Sequence, residues 1–547
     1  MDFTKKIYPN RWVWVMCSLH KDSDVENIRR IVEIASKHGL NGVALSAGLD
    51  RLLLQPPDYF ERLRQVKKVC DEKGIEIIPN IFSVGYGGSV LAHDRHLAAA
   101  FIVKDACFIA GRDEARIVTD PPVKFVNGEF EDWDGNLLFG YDLQDKPGEV
   151  TFRDEEVLKE GKYSLRLENF ERNNGQARIM QELKVRPYRC YRIRCWVKFE
   201  DFSPVNSFQI HVRTKDRLLN PWGEVWPLSR RVREEPITTD WMEAYAWFNT
   251  LRYDTIQVYV GVWGGRSGKI YLDNLRIEEV GLLNVLRRQG TPITVRSEDT
   301  GIIYEEGRDY APIVDPVMDF RFDRESIPIK LLPNSRIREG ERLRVSYYHG
   351  MSIKGGDQVT VCMSEPKLYD IWRQEAWMLW KYLRPNKFLL SMDEIRQGGT
   401  CLTCRSRNMS MAEILGDCIT RQVNILREVN PNAEIYIWSD MLDPHHNARK
   451  DYCLIEGDFT GSWYYVPKDL VIVCWYYEKR EISLKFFSSL GFRTMGAAYY
   501  DSRSLENPRR WLEALDKTPN ALGIMYTTWR NDYDFLADFG DLVMRKI

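Results

Sequence analysis

Two kinds of apolar spacing alternate along the first hundred residues. Trp12 to Cys17 (WVWVMC) is an apolar run of strand length, whereas Val25, Ile28, Ile31, Val32 and Ala35 recur at the three–four spacing of one helix face. Gly39 follows as a helix stop. Residues 42–47 (GVALSA) predict a second strand, residues 57–73 a second helix closed by Gly74, and residues 75–82 a third strand. The order βαβαβ is that of a parallel sheet.

From about Phe125 to Val280 the period changes to two. KYSLRLENF, ARIMQELKV, CYRIRCWVKF, FQIHVRT, AYAWFNT, TIQVYVGVW and KIYLDNLRIEEV follow one another with turn signals at the intervals of a β-sandwich. Residues 282–360 stay strand-like, as in ERLRVSYYHG. The helix–strand alternation resumes at Glu365 with a Trp-rich helix, YDIWRQEAWMLWKYL. Strands are then expected at residues 387–392, 434–439, 470–475, 494–500 and 522–527, with helices at 411–429, 483–490, 507–515 and 535–544.

Three strands before the β-rich block and five after it make eight, the number of a (β/α)₈ TIM barrel. The expected fold is therefore α/β plus all-β, a barrel interrupted after its third strand. Its first part would be residues 1–115, the β-sandwich 120–281, a smaller β-rich segment 282–360, and the second part of the barrel 361–547.

A chain of 547 residues exceeds one ordinary domain, and 44% hydrophobic with 29% charged residues is the balance of a globular protein. The net charge of -2 gives no reason to expect a nucleic acid or a membrane surface as partner. No apolar run reaches the length of a membrane span, and the opening MDFTKKIYPNRWVWVMCSLH has no signal-peptide core. The 11 cysteines are scattered, apart from Cys401 and Cys404, so a reducing, cytoplasmic setting is expected. Cys401 and Cys404 alone supply two of the four ligands zinc needs, and Cys418 or His445 would have to complete them. The 17 Trp and 27 Tyr exceed what cores need and suit flat apolar ligand faces such as sugar rings.

Barrel active sites lie at the C-terminal ends of the strands. Past those ends stand His93, then the pair Asp393 and Glu394 in FLLSMDEIRQGG, then Trp438, Asp440, Asp443, His445 and His446 in WSDMLDPHHN. Trp475 and Tyr477, then Tyr500 and Asp501, then Trp529 complete the rim. Carboxylates for acid/base work and aromatics for stacking thus gather on one face, as a carbohydrate site requires. Neighbouring residues on a regular strand point to opposite faces. Asp393 and Glu394 can therefore share a pocket only where the backbone has left strand geometry, which Gly398 and Gly399 make feasible.

With its strand-terminal SMDEI, the chain resembles family 20 glycoside hydrolases, the β-N-acetylhexosaminidases. The resemblance implies retaining, substrate-assisted cleavage of a β-linked N-acetylhexosaminide, with no cofactor for catalysis. Asp393 would orient the 2-acetamido group and Glu394 would be general acid and then base. It also makes Trp438 and Asp440 sugar contacts and Trp529 a wall of the acetamido subsite, with Tyr477 or Tyr500 bonding the acetamido carbonyl. The family's first-strand arginine is missing here. VNGEFEDWD, GKYSLRLENF and KIYLDNLRIEEV resemble jelly-roll carbohydrate-binding modules. That likeness implies a structural Ca²⁺, for which Glu129, Glu131 and Asp273 would be the oxygen ligands.

Two other readings stand beside this one. A conventional retaining glycosidase would use Glu394 as acid/base and Asp501 as nucleophile, at about 5–5.5 Å separation. A non-catalytic carbohydrate-binding protein would keep both folds without the chemistry. An oligosaccharide or glycoside is the expected partner in all three, and an aromatic-rich sandwich would also suit self-association into a homo-oligomer.

Overall fold

A computed structural model describes residues 6–230, 236–354 and 358–546. The chain divides into two compact units, residues 1–98 with 360–399 and 403–547, and residues 99–359 with 400–402.

The first unit is a closed barrel of eight parallel strands. They are β1 (Asn10–Met16), β2 (Gly42–Ser46), β3 (Glu76–Ile81), β4 (Lys387–Leu390), β5 (Glu434–Trp438), β6 (Val471–Cys474), β7 (Arg493–Tyr499) and β8 (Ala521–Thr527). Each pairs with the next, and β1 closes the ring against β8 through Trp12 opposite Met525. Among the described residues, seven helices of two turns or more belong to this unit: α1 (Asp22–Lys37), α2 (Pro57–Glu72), α3 (Pro366–Leu383), α4 (Met411–Val429), α5 (Arg480–Ser489), α6 (Glu506–Asp516) and α7 (Leu536–Val543). Local chemistry starts and stops them: Ser410 and Glu413 cap the first turn of α4 reciprocally, and Pro57 opens α2 where its missing N–H costs nothing.

Alternate strand residues fill the barrel. Trp12, Trp14, Ala44, Ile78, Leu389, Tyr436, Trp438, Val471, Val473, Met495, Ala497 and Met525 form one buried cluster. Large rings fit only beside small partners. A Cβ on Gly42 would stand 2.5 Å from Cδ1 of Trp12, so the glycine on β2 makes room for the indole on β1. Tyr436 packs on Trp12 at 4.6 Å between centroids and receives a hydrogen bond from Asn10 Nδ2 at 2.8 Å.

The second unit holds a β-sandwich of a five-stranded and a four-stranded antiparallel sheet. Phe199 of the larger sheet meets Phe208 of the smaller edge-on at 5.9 Å. A separate six-stranded sheet pairs Arg342–His349 with Phe101–Ala110, which in turn pairs with Glu114–Ile117. This corrects the expected boundary. Residues 99–115, assigned above to the barrel, belong to this unit, because the partner of Phe101–Ala110 lies more than two hundred residues downstream.

Candidate active site

The stretch FLLSMDEIRQGG owes its geometry to the end of β4. Regular pairing stops at Leu390; Ser391 still donates its N–H to Ile81 O at 2.8 Å and accepts from Val84 N at 3.2 Å. The chain then leaves strand geometry, and Glu394 takes a left-handed conformation with φ +50°. Only a well-braced loop keeps a non-glycine residue there. The brace is Gly85, whose Cβ, if present, would lie 2.0 Å from Asp393 O and 2.6 Å from Glu394 O. From the other side Glu394 N–H donates to Asp440 Oδ2 at 2.8 Å.

Three carboxylates therefore share one locus. Asp440 is fully buried and also accepts from Asn447 Nδ2 at 2.9 Å and Trp475 Nε1 at 3.3 Å. Half-buried Asp393 accepts from Ser391 Oγ at 3.2 Å. Burial, then the charges of Asp440 and Glu394, pushes Asp393 well above the usual carboxylate range. Burial raises Asp440 as well, and Glu394 adds to the shift, against hydrogen bonds from the Glu394 backbone, Asn447 and Trp475 that lower it. Glu394 has a different setting. The guanidinium of Arg396 stands 2.5 Å from its Oε1, and the Tyr86 hydroxyl donates to its Oε2.

Aromatic rings wall this locus. Trp475 and Tyr500 lie parallel within 5° with centroids 6.0 Å apart, and Tyr500 meets Trp529 edge-on at 6.0 Å. Trp529 reaches inward to Trp14 at 5.5 Å and Trp438 at 6.5 Å. Trp438 is buried among the barrel rings, whereas Tyr500 and Trp529 are exposed. Burial, and after it the charges of Glu394, Asp393 and Asp440, keeps the Tyr500 hydroxyl protonated.

The remaining rim residues have other partners. His93 Nε2 stands 3.0 Å from Glu375 Oε1, and that carboxylate also accepts from Leu52 N and Leu53 N. This bonding raises the pKa of His93. Tyr477 lies under the Arg480 guanidinium at 4.4 Å, whereas Tyr500 stacks on Trp475 and feels the charges of Glu394, Asp393 and Asp440. Asp501 accepts from Thr528 Oγ1 at 2.5 Å and from Trp529 N at 2.9 Å, so both its oxygens serve the loop after β8. Tyr86, Arg396 and Asn447 were missed by the rim census. Tyr86 sits in the glycine-rich VGYGGS loop and Arg396 two residues past Glu394; position alone was their signal.

Two of the proposed calcium ligands, Glu131 and Asp273, bind the backbone of one turn, residues 159–163. Glu131 Oε1 accepts from Lys162 N and Tyr163 N, Asp273 Oδ2 from Lys159 N and Glu160 N, and Glu129 is exposed. Among the described residues no three carboxylates bring ligand atoms within 4.8 Å of one another. Nor do Cys418 and His445 complete a zinc site with Cys404. Cys418 pairs with Tyr369 and His445 packs on Phe486, while Cys404 Sγ lies 3.7 Å from Cys362 Sγ.

On the outer face of the four-stranded sheet, Tyr259 and Trp263 flank Gly261, opposite Gln209 and Arg178. His211 lies edge-on to Trp263 at 4.4 Å. Trp222 is exposed and Trp226 buried.

No protein-family model matches the chain, and no curated protein matches it. Solved structures similar to it include a rhamnosidase from Novosphingobium sp. PP1Y, at 10% identity and TM-score 0.35 over 97% of this chain and 56% of that one. A β-N-acetylhexosaminidase from Bacteroides fragilis matches at 9% identity and TM-score 0.38, over 98% of this chain and 66% of its own. A family 16 carbohydrate-binding module matches at 16% identity and TM-score 0.18, over 28% of this chain and 97% of the module. The chain thus spans less than two thirds of the length of either glycosidase.

Proposed function

We propose that the protein is a glycoside hydrolase, cleaving a β-linked N-acetylhexosaminide with retention and with the substrate's 2-acetamido group as nucleophile. The observation that carries this reading is the meeting of two adjacent carboxylates, Asp393 and Glu394, at one locus beside an aromatic wall, with the Glu394 backbone fixed by Asp440. Arg396 and Tyr86 hold the Glu394 carboxylate, and Asp393 accepts from Ser391.

In this reading the acetamido oxygen bonds to the anomeric carbon as the bond to the glycosidic oxygen breaks, and Glu394 gives that oxygen its proton. Asp393 accepts the acetamido N–H, and Trp475, Tyr500 and Trp529 offer faces to the sugar. Water then attacks the anomeric carbon, the oxazolinium ring opens, and Glu394 recovers a proton from the water. Asp501, which accepts from Thr528 and Trp529, shapes the loop after β8 in this reading.

A panel of aryl β-glycosides with and without the 2-acetamido group tests this. Turnover confined to acetamido sugars, lost in Asp393→Asn and Glu394→Gln, supports it. Turnover of plain glycosides that dies with Asp501→Asn overturns it. For the sandwich we propose a carbohydrate-binding face at Tyr259 and Trp263, because the two rings stand on one face of one strand on either side of Gly261.

A further inference from the structure

We propose that Arg396 and Tyr86 are positioning residues that decide when Glu394 can carry a proton, Arg396 as a fixed partner and Tyr86 as a reversible one. The inference rests on Glu394 being the acid/base. Both its oxygens are taken, Oε1 by Arg396 at 2.5 Å and Oε2 by the Tyr86 hydroxyl. Arg396 Nη1 also reaches the Tyr86 oxygen at 3.4 Å, so the three groups close a triangle.

The two partners are not chemically equivalent. A guanidinium only donates, and one at this distance favours the carboxylate anion. A phenol both donates and accepts, so it can serve the anion and then turn to accept from the acid. Their settings agree with this division. The Arg396 side chain is 4% exposed and cannot swing away, whereas Tyr86 is 41% exposed. The Tyr86 loop is anchored at its start, where the Asp50 carboxylate accepts from Phe82 N and Ser83 N, and Gly85 abuts the carbonyls of Asp393 and Glu394. Asp393, Asp440, Tyr452, Cys453, Tyr500 and His446 also act on Glu394 or feel its charge, so these groups set the background against which the pair operates.

The test compares kcat, KM and the pH dependence of kcat/KM in wild type, Tyr86→Phe, Arg396→Gln and Arg396→Lys. Removing a donor from the anion should move the alkaline limb to higher pH in Tyr86→Phe and further in Arg396→Gln. KM should stay within about twofold while kcat falls roughly tenfold, and Arg396→Lys, which keeps the cation, should return most of the shift. The carboxylate infrared band that disappears in Glu394→Gln, followed through pH in wild type and Tyr86→Phe, reads the same displacement without turnover. Limbs and band that stay in place while kcat drops would make the pair merely structural and overturn the inference. Full activity in Glu394→Gln would instead overturn the assignment of Glu394 on which it rests.

Discussion

Trp475 donates its indole N–H to Asp440 Oδ1 at 3.3 Å while its ring lies parallel to Tyr500. One side chain at the end of β6 thus ties the buried carboxylate after β5 to the exposed ring after β7. Asp440 also accepts from the Glu394 backbone, so it braces the loop that carries the proposed acid/base. Asp440→Asn exchanges one accepting oxygen for a donor and sets it against N–H groups. We expect kcat to fall by about 10²-fold or more with the barrel still folded, a magnitude typical of losing acid/base support. Steady-state kinetics with a circular dichroism control reads this, and unchanged kcat would remove Asp440 from the machinery.

Protonation of Asp393 should appear in stability. Burial raises its pKa in the folded chain, so the folded state holds a proton where the unfolded state has released it. Stability from this group is therefore highest below the carboxylate range and falls as pH rises toward neutrality. Asp393→Asn removes the ionisation, and above pH 7 the variant should exceed wild type by about 1–2 kcal/mol, with the gap closing toward pH 4. Thermal melts across that range check the sign, and a gap that widens on acidification would refute it.

Gly85 should tolerate no side chain. The Cβ of Gly85→Ala would collide with the carbonyl oxygens of Asp393 and Glu394. Overpacking of this kind costs about 1–3 kcal/mol, and a displacement near 1 Å at the reacting groups lowers turnover by about 10²-fold. Activity should thus suffer more than folding does, and wild-type kcat in Gly85→Ala would show that the loop does not position the chemistry.

In the second unit Arg189 Nε stands 2.8 Å from Glu279 Oε1, both side chains being almost fully buried. Burial pushes the Glu279 carboxyl up to about 7, against the opposing charge of Arg189. Arg189→Ala would strand a buried carboxylate at a cost of about 3–5 kcal/mol, and Arg189→Met with Glu279→Gln should recover part of it. Because a raised carboxyl pKa costs stability as pH rises, the loss should be larger at pH 8 than at pH 5. Denaturant unfolding at the two values reads both the size and the sign.

Trp263→Ala should weaken retention on immobilised polysaccharide, since stacking on an aromatic face would be lost. Affinity electrophoresis against a panel of polysaccharides measures this. Equal mobility of variant and wild type on every gel would leave the sheet face without a sugar role.

The eight barrel strands were legible from spacing alone, to within a residue or two at each end, because each is a short apolar run between a helix stop and a polar loop. α4 was read to its terminal residues, Met411 and Val429, since its caps are local. The DE pair, the aromatic surplus and the rim order were legible for the same reason. What the sequence could not declare depends on partners far along the chain. Phe101–Ala110 reads as strand only once it has Arg342–His349 to pair with. Tyr86 meets Glu394 across 308 residues, and the buried Asp440 lies 46 residues beyond that glutamate. Periodicity and capping act over a few bonds, so the sequence by itself determined the elements and their order. Burial, charge proximity and the assignment of each carboxylate oxygen to a donor exist only after the chain has closed on itself, and those the tertiary structure decided.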